Sequence, residues 1–270
     1  MKNKAIGVFD SGLGGLTAVK ELIKCLPNEN IVYFGDTGRV PYGTRSKETI
    51  IKYATQDARF LLNHNVKMII AACGTVSSVA SSLGNELPVK FSGVLEPTAT
   101  ACAKATKTGS VAVLGTSATI NSHSYKNLLE KINPNLKVYE QDCPLFVPLV
   151  ENGFTDKDDI IVKSVVERYV NQFKNTDVDT VILGCTHYPL LKAAIGEILG
   201  ENVKLIDSGR ETALYTKKLL QEQNLLSERE TEGEREFYVS DTPHNFEAVA
   251  GRFLGRDMKR TATRIDIEKY

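Results

Sequence analysis

The sequence has few cysteines, no excess of charge and no long apolar run, and each shortage excludes a class of protein. Its five cysteines are scattered without a close CxxC pair, which argues against a disulfide framework or a zinc module. Lysine plus arginine and aspartate plus glutamate both total 33, so no basic surface for nucleic acid is expected. No segment reaches the roughly 18 apolar residues of a membrane span, and the apolar run before Asp10 is too short for a signal peptide. We therefore expect a soluble, cytoplasmic protein that binds neither nucleic acid nor membranes.

What the chain does have is a repeated unit of strand, turn and helix. At 270 residues and 42% hydrophobic content it can bury the cores of two domains. The strand pattern Ala5–Phe9 with its glycine turn resembles Ser110–Gly115 with its exit, and the segment from Val138 matches the one from Val32 at a constant offset. We expect two similar open, mainly parallel-sheet α/β domains related by pseudo-twofold symmetry, with the active site between them at the carboxyl ends of the strands. The expected domains are 1–96 with 208–270, and 97–207.

Three glycines after the first strand raise the question of a nucleotide site. Gly12, Gly14 and Gly15 follow Asp10 at the start of a helix, where backbone amides can approach an anion. Their spacing is neither GxGxxG nor a Walker loop, so the sequence gives little support for a nucleotide cofactor.

Two cysteines stand at the ends of predicted strands. The stretch Thr180–Leu191, TVILGCTHYPLL, indicates a strand, a polar turn that carries Cys185 and a helix opened by Pro189. The stretch MIIAAC repeats this arrangement and ends at Cys73. Backbone amides at a helix start favour a thiolate, so both cysteines are candidate reactive groups. The alternative is that they only fill space in the core, as many buried cysteines do.

Three chemistries fit two such thiols. A disulfide redox pair is one, but such pairs usually lie close together in sequence. A metal site would need His187 and a carboxylate such as Asp10 to join the thiols. Inversion of a stereocentre needs a base on one face of a carbon and an acid on the other, which equivalent residues on facing domains supply. We favour the third, because symmetry then explains both cysteines, and we predict no metal or cofactor site.

The order of several short motifs adds a resemblance to a known family. Between about Ala5 and Leu254 the chain contains, in order, FDSGLGGLT, DTGRVPYG, AACGT, LGTSAT, PLVENG and GCTHYPLL. In this arrangement the motifs resemble those of the glutamate racemases, within the cofactor-independent aspartate/glutamate racemase superfamily. The resemblance implies a two-domain α/β enzyme that makes D-glutamate for peptidoglycan without pyridoxal phosphate or a metal ion. It also implies a homodimer.

The resemblance further implies roles for individual residues. Cys73 is similar to the family thiol that acts on D-glutamate and Cys185 to the one that acts on L-glutamate, each with an assisting group. The catalytic candidates are Cys73, Cys185, Asp10, His187, Asp36 and Glu151. The positions that match substrate-binding residues are Asp10, Ser11, Tyr42, Gly43, Gly74, Thr75, Thr116, Thr119, Thr186 and His187.

One position departs from the commonest family pattern around the first cysteine. That pattern is Cys-Asn-Thr, whereas this chain has Gly74 and therefore lacks the side-chain amide. Loss of one such hydrogen bond costs about 1 to 3 kcal/mol when nothing replaces it. We expect Gly74→Asn to be tolerated, with a change in substrate affinity of about tenfold or less.

Two other interpretations stay open at this point. A racemase of aspartate or of another acidic amino acid would use the same thiols, because the thiols specify the reaction and not the side-chain length. A protein of a different class, which closes its halves on a small anion without chemistry or regulates another protein, would share the fold. Racemisation of L-glutamate, followed by optical rotation, separates all of these.

Overall fold

Two parallel β-sheets organise the fold of the computed structural model, which describes residues 1–242, 246–255 and 262–270. The strands are β1 (Ala5–Asp10), β2 (Ile31–Gly35), β3 (Val66–Ala71), β4 (Lys90–Gly93), β5 (Ser110–Gly115), β6 (Lys137–Asp142), β7 (Thr180–Leu183), β8 (Lys204–Asp207), β9 (Arg235–Val239) and β10 (Thr263–Arg264). The helices are α1 (Leu16–Cys25), α2 (Lys47–Leu62), α3 (Gly74–Val79), α4 (Leu95–Ala105), α5 (Ser117–Asn121), α6 (Ser124–Ile132), α7 (Phe146–Glu151), α8 (Ile160–Val170), α9 (Lys192–Leu199), α10 (Ser208–Glu222) and α11 (Phe246–Leu254).

The two sheets repeat one strand order, as the sequence repeat predicts. The first sheet runs β4-β3-β1-β2-β9-β10 and the second runs β8-β7-β5-β6, with parallel pairing between neighbours. Strands β1 to β4 and β5 to β8 therefore take the same relative places, which confirms the prediction of two similar parallel-sheet units. Helices cover both faces of such sheets, so the central strands β1, β3, β5 and β7 are buried along their whole length.

Two helices begin earlier than the sequence pattern predicts. The helix predicted from Glu211 begins earlier, at Ser208, because the Asp207 side chain accepts hydrogen bonds from two amides of the first turn. The helix predicted from Pro97 begins at Leu95. Proline is tolerated in a first helical turn because the amide that it lacks has no acceptor within the helix there.

The C-terminal segments return to the first sheet and then reach the second. β9 pairs with β2, so the strand predicted from Phe237 begins earlier, at Arg235. α10 packs against both α1 and α4. From α11, Phe253 meets the ring of His187 edge to face, with the ring centroids 5.1 Å apart. Within the described part of the chain, none of the helices combines the length and the apolar character that crossing a membrane demands.

Candidate active site

A cavity of about 310 Å³ lies between the two sheets, at the carboxyl ends of their strands. Residues that follow β1, β2 and β3 line it from the first sheet, and residues that follow β5, β6 and β7 line it from the second. Crevices at this edge are where open parallel sheets bind their ligands. Most of the predicted site residues line this cavity, namely Ser11, Tyr42, Gly43, Cys73, Gly74, Thr75, Thr116, Glu151, Cys185, Thr186 and His187. Asp10, Asp36 and Thr119 are buried behind this lining.

Cys73 is the first thiol of the cavity and occupies the N-cap of α3, just beyond β3. Its side chain is nearly buried, and the thiol donates to the Ser11 hydroxyl oxygen at 3.4 Å. Burial, reinforced by the charge of Asp10, raises the pKa of Cys73 to about 12. Without a ligand Cys73 is therefore a thiol at neutral pH, which makes it a proton donor in its resting form.

The second thiol, Cys185, follows β7 and is paired with a histidine. Its Sγ lies 3.7 Å from His187 Nδ1, and His187 Nε2 lies 3.1 Å from Glu151 Oε1. Burial alone would lower the pKa of His187, but the hydrogen bonds to Cys185 and Glu151 outweigh it and raise this pKa to about 10. His187 is thus an imidazolium at neutral pH. Its positive charge stabilises negative charge on the neighbouring sulfur.

Asp10 ends β1 on the Cys73 side of the cavity. It is buried, and its Oδ2 accepts a hydrogen bond from the Gly12 amide at 3.1 Å. Gly15 makes room for it, because an ideal Cβ at position 15 would lie 2.5 Å from the Asp10 Cβ. Burial raises the pKa of Asp10, although the charge of His187 opposes this. A carboxyl that holds its proton more readily than usual suits proton exchange with a neighbouring thiol.

Three threonine hydroxyls form a chain from one domain to the other along the cavity. Thr75 Oγ1, after β3, lies 3.2 Å from Thr116 Oγ1, after β5. Thr116 Oγ1 in turn lies 3.0 Å from Thr119 Oγ1 and caps α5 by accepting from the Thr119 amide. Thr119 therefore orients Thr116 without lining the cavity itself. Hydroxyls can donate or accept, so the two that line the cavity can turn toward a carboxylate ligand.

Asp36 lies in a buried polar network behind Tyr42. It accepts hydrogen bonds from Arg39 Nε at 2.6 Å, from Ser240 Oγ at 2.7 Å and from the Tyr42 hydroxyl. The same hydroxyl lies 3.1 Å from Asp57 Oδ2, and burial with the charge of Asp36 raises the pKa of Asp57 well above its usual range. Because Tyr42 has one proton, it donates to Asp36, its closer partner, and the raised pKa favours the protonated form of Asp57, which can donate to Tyr42. Asp36 thus fixes the Tyr42 side chain, and a direct catalytic role for Asp36 stays a prediction.

We expect the two carboxyl groups of this network to respond differently to amidation. Asp57→Asn keeps both functions, since its amide can donate to Tyr42 while its oxygen accepts from Arg39, so the free energy of unfolding should change by less than about 1 kcal/mol. Asp36→Asn removes the close acceptor of a largely buried guanidinium and should cost roughly 3 kcal/mol. Urea unfolding of both variants beside the parent protein measures the difference. Equal losses would show that Asp57 is ionised in the folded protein.

An apolar wall of the cavity is the part that sequence reasoning missed. It includes two Val-Pro pairs, Val40-Pro41 and Val147-Pro148, together with Pro144. The sequence does contain a signal, since these pairs recur in the two matched segments, but apolar residues in a repeat are more simply explained as core. Such a wall keeps water away from the thiols, and weaker screening strengthens every charge interaction in the cavity.

Gly74 packs against the opposite domain, which contradicts the expectation that asparagine is tolerated there. An ideal Cβ at position 74 would overlap the carbonyl oxygen of Gly184, well inside the 3.0 Å that real Cβ atoms respect. The obstacle is backbone, so it cannot rotate away as a side chain would. Any residue larger than glycine at this position therefore needs the backbone at position 74 or at Gly184 to shift.

The alternatives for the thiols can be compared with the geometry. All five cysteines are free, so Cys73 and Cys185 do not form a disulfide here. Across residues 1–242, 246–255 and 262–270, no group of three or more His, Cys, Asp or Glu side chains is placed to hold a metal ion. What the cavity does contain is one thiol from each sheet, each with its own charged neighbour.

Comparison with known proteins agrees with this geometry. A family model described as Asp/Glu/Hydantoin racemase matches residues 15–216. A glutamate racemase from Geobacter metallireducens is 46% identical over 253 residues, which is 93% of each chain. One from Thermoanaerobacter pseudethanolicus is 40% identical over 270 residues and the full length of both chains. The crystal structure of glutamate racemase from Francisella tularensis in complex with D-glutamate superposes with a TM-score of 0.92 at 40% identity, covering 100% of both chains.

Proposed function

The chain belongs to the Asp/Glu/Hydantoin racemase family and, within it, to the glutamate racemases, and on this premise we propose that Cys73 and Cys185 act as an opposed pair of thiols. The reaction interconverts L-glutamate and D-glutamate, so the protein is an isomerase that supplies D-glutamate for peptidoglycan. The observation that carries the proposal is that strand-end thiols from opposite sheets line one cavity. Removal of a proton from one face of Cα and its return to the other face need such a pair.

In the direction from L-glutamate, Cys185 is the base. Its thiolate takes the Cα proton, and the electron pair is delocalised into the α-carboxylate. Cys73, whose pKa of about 12 keeps it a thiol, then gives its proton to the opposite face of Cα. The turnover leaves Cys185 as a thiol and Cys73 as a thiolate. That state acts on D-glutamate, so the reverse direction uses the same groups with their roles exchanged.

The assisting groups maintain these protonation states. The His187 imidazolium stabilises the Cys185 thiolate, and Glu151 holds the ring through its bond to Nε2. On the other side, Asp10 exchanges a proton with Cys73, which is the step that prepares Cys73 to act as a base. Each thiol thus has an acid–base partner of its own.

The cavity must also stabilise the carbanion, because the Cα hydrogen is a very weak acid. Stabilisation comes from fixed donors that face the developing negative charge in a site shielded from water. The available donors are the backbone amide of Gly74 at the start of α3 and the cavity hydroxyls. We assign substrate binding to Ser11, Tyr42, Gly43, Gly74, Thr75, Thr116, Thr186 and His187, with Asp10, Asp36, and Thr119 orienting them.

We further propose a cytoplasmic homodimer whose domains comprise 1–96 with 208–270, and 97–207. The addition of β9 and β10 to the first sheet supports a discontinuous first domain. Ile160 and Ile161 at the start of α8 are 75% and 48% exposed, which supports an interface with a second copy. The thiols of the mechanism must stay reduced, and the cytoplasm keeps them so.

We expect L-glutamate to racemise fully in buffer that contains a chelator and no added cofactor, because the two thiols supply both the base and the acid. Decay of optical rotation to zero measures the reaction, and L-aspartate assayed in parallel tests the side-chain length. The matched control is the protein with Cys73 and Cys185 both replaced by serine. Recovery of an inactive preparation by pyridoxal phosphate or zinc, or faster turnover of aspartate, would contradict the proposal.

A further inference from the structure

A threonine of the first domain holds the turn that carries the second domain's thiol. Thr17 lies in the first turn of α1 and is nearly buried. Its hydroxyl oxygen is 2.9 Å from the carbonyl oxygen of Thr186, between Cys185 and His187, and also 2.9 Å from the carbonyl oxygen of Gly14. A hydroxyl has one proton, so it donates to one of these carbonyls at a time. The bond to Thr186 spans the two domains.

The Thr186 carbonyl needs this donor because of a proline. In a 3-10 turn the carbonyl of a residue accepts from the amide three positions on, and for Thr186 that position is Pro189, which has no N–H. The next amide, that of Leu190, donates to the carbonyl of His187 instead. A buried carbonyl without a donor is costly, so the hydroxyl of Thr17 replaces the missing amide.

The turn that leads into α1 also packs closely against His187. An ideal Cβ at Gly14 would lie 2.5 Å from His187 Nδ1, so the glycine turn before α1 touches the imidazole itself. The N-terminal turn of α1 is therefore the surface on which the Cys185–His187 turn rests. A small shift of that turn moves both the thiol and the imidazolium.

The Cys73 turn touches the second domain through Gly74 and Thr75, and it is also tied within its own domain. The Ser77 hydroxyl donates to the carbonyl of Ala71 at 3.1 Å and accepts from the amide of Val94 at 3.0 Å. These bonds tie α3 to the end of β3 and to the segment after β4. None of these bonds involves Thr17, so loss of the Thr17 bond should disturb Cys185 more than Cys73.

We propose that Thr17 is a positioning residue for the L-glutamate face of the reaction, which it serves by fixing the Cys185–His187 turn from across the domain boundary. The inference rests on the proposed assignment of Cys185 to L-glutamate. Overall racemisation cannot reveal a face-specific defect, because the equilibrium constant between enantiomers is one and kcat/KM must be equal in both directions. A reaction that uses only one thiol is needed.

Elimination from a glutamate with chloride on Cβ is such a reaction. The base removes the Cα proton, the electron pair forms a Cα–Cβ double bond, and chloride leaves. Water then hydrolyses the resulting enamine, through its imine, to 2-oxoglutarate and ammonium. Only the first thiol takes part, so the L-configured analogue reports on Cys185 and the D-configured analogue on Cys73.

The test compares Thr17→Val, which removes the donor and keeps the shape, with Thr17→Ser, which keeps the donor. For Thr17→Val we expect kcat/KM for elimination to fall about tenfold on the L-configured analogue and less than twofold on the D-configured one. Thr17→Ser should stay within about twofold of the parent on both. Thr17→Ala makes the same comparison if the valine variant does not fold.

Ser124→Ala is the matched control, because it also removes a side-chain bond between the domains, from Ser124 Oγ to the carbonyl of Ser78 at 3.0 Å. It should show no selective loss on the L-configured analogue. Equal losses on both analogues for Thr17→Val, no loss on either, or an L-selective loss in Ser124→Ala would overturn the inference. Cys185→Ser distinguishes failure of the role of Thr17 from failure of the proposed mechanism. If Cys185→Ser is selective for one analogue and Thr17→Val is not, only the role of Thr17 is wrong.

Discussion

Cys185→Ser and Cys73→Ser should each abolish racemisation of glutamate while each retains one half of the chemistry. Every turnover needs one thiol as the base and the other as the acid, so both directions should slow by at least about 10²- to 10⁴-fold, the usual contribution of a general acid or base. A serine hydroxyl is a much weaker acid than a thiol and replaces neither role. Optical rotation with either enantiomer as substrate measures the loss.

Elimination of chloride should separate the two variants. Cys185→Ser should still process the D-configured analogue and lose the L-configured one, and Cys73→Ser should show the reverse selectivity. The measured quantity is 2-oxoglutarate released from each enantiomer by each variant. If both variants lose both enantiomers equally, or keep both, the thiols are not face-specific bases and the opposed-pair mechanism is wrong.

The resting protonation states add a pH dependence to this result. Cys73 must lose its proton before it can act, and its pKa of about 12 means that the reactive fraction rises tenfold with each pH unit below that value. Elimination by Cys185→Ser should therefore rise steeply from pH 7 to pH 9. Over the same range His187 keeps the positive charge that assists Cys185, because its pKa is about 10.

Much of this architecture was predictable because its signals are local. Apolar runs that stop at Asp10, Cys73 and Cys185 predict strands that end at one edge of a sheet, and the structure places them so. Parallel sheets make that edge common to all their strands. The repeat therefore predicts that each thiol lies at this edge of its own sheet, and the two thiols meet only if the two sheets face each other, as they do around the cavity.

What the sequence could not provide were contacts made by side chains from distant segments. Asp36 follows a strand just as Asp10 does, yet its position behind Tyr42 depends on Ser240, 204 positions away in the chain, and on a network that includes Asp57. The bond from Thr17 to Thr186 joins residues 169 positions apart in the chain. Periodicity reports which face of an element is buried, and it does not report which partner from the other domain meets that face.

Gly74→Asn is where the family pattern and the structure predict opposite results. The pattern predicts a change in affinity of about tenfold or less, since asparagine is the commonest residue there. The structure predicts a much larger loss, because a Cβ at position 74 would overlap the carbonyl oxygen of Gly184 across the domain boundary. Gly74 and Gly184 directly adjoin Cys73 and Cys185, so any separation that relieves the overlap also separates the thiols.

Separation of the thiols should appear as a loss of kcat. A displacement of about 1 Å at reacting groups can cost roughly 10²-fold, so we expect kcat to fall by about that factor, while the fold is retained. Gly74→Ala should show most of the same loss, because the overlap begins at Cβ and does not involve the asparagine amide. That second variant distinguishes a steric effect from a new polar contact.

The control for a generic effect of removing a glycine is Gly196→Ala, whose added Cβ would meet only Leu205 Cδ1 at an ordinary 3.7 Å. It should leave kcat unchanged. Steady-state kinetics on both enantiomers, with urea unfolding to confirm folding, complete the experiment. If Gly74→Asn keeps kcat within tenfold of the parent, the protein can accommodate a side chain at position 74 without separating the thiols. The close contact with Gly184 would then not determine the distance between the thiols.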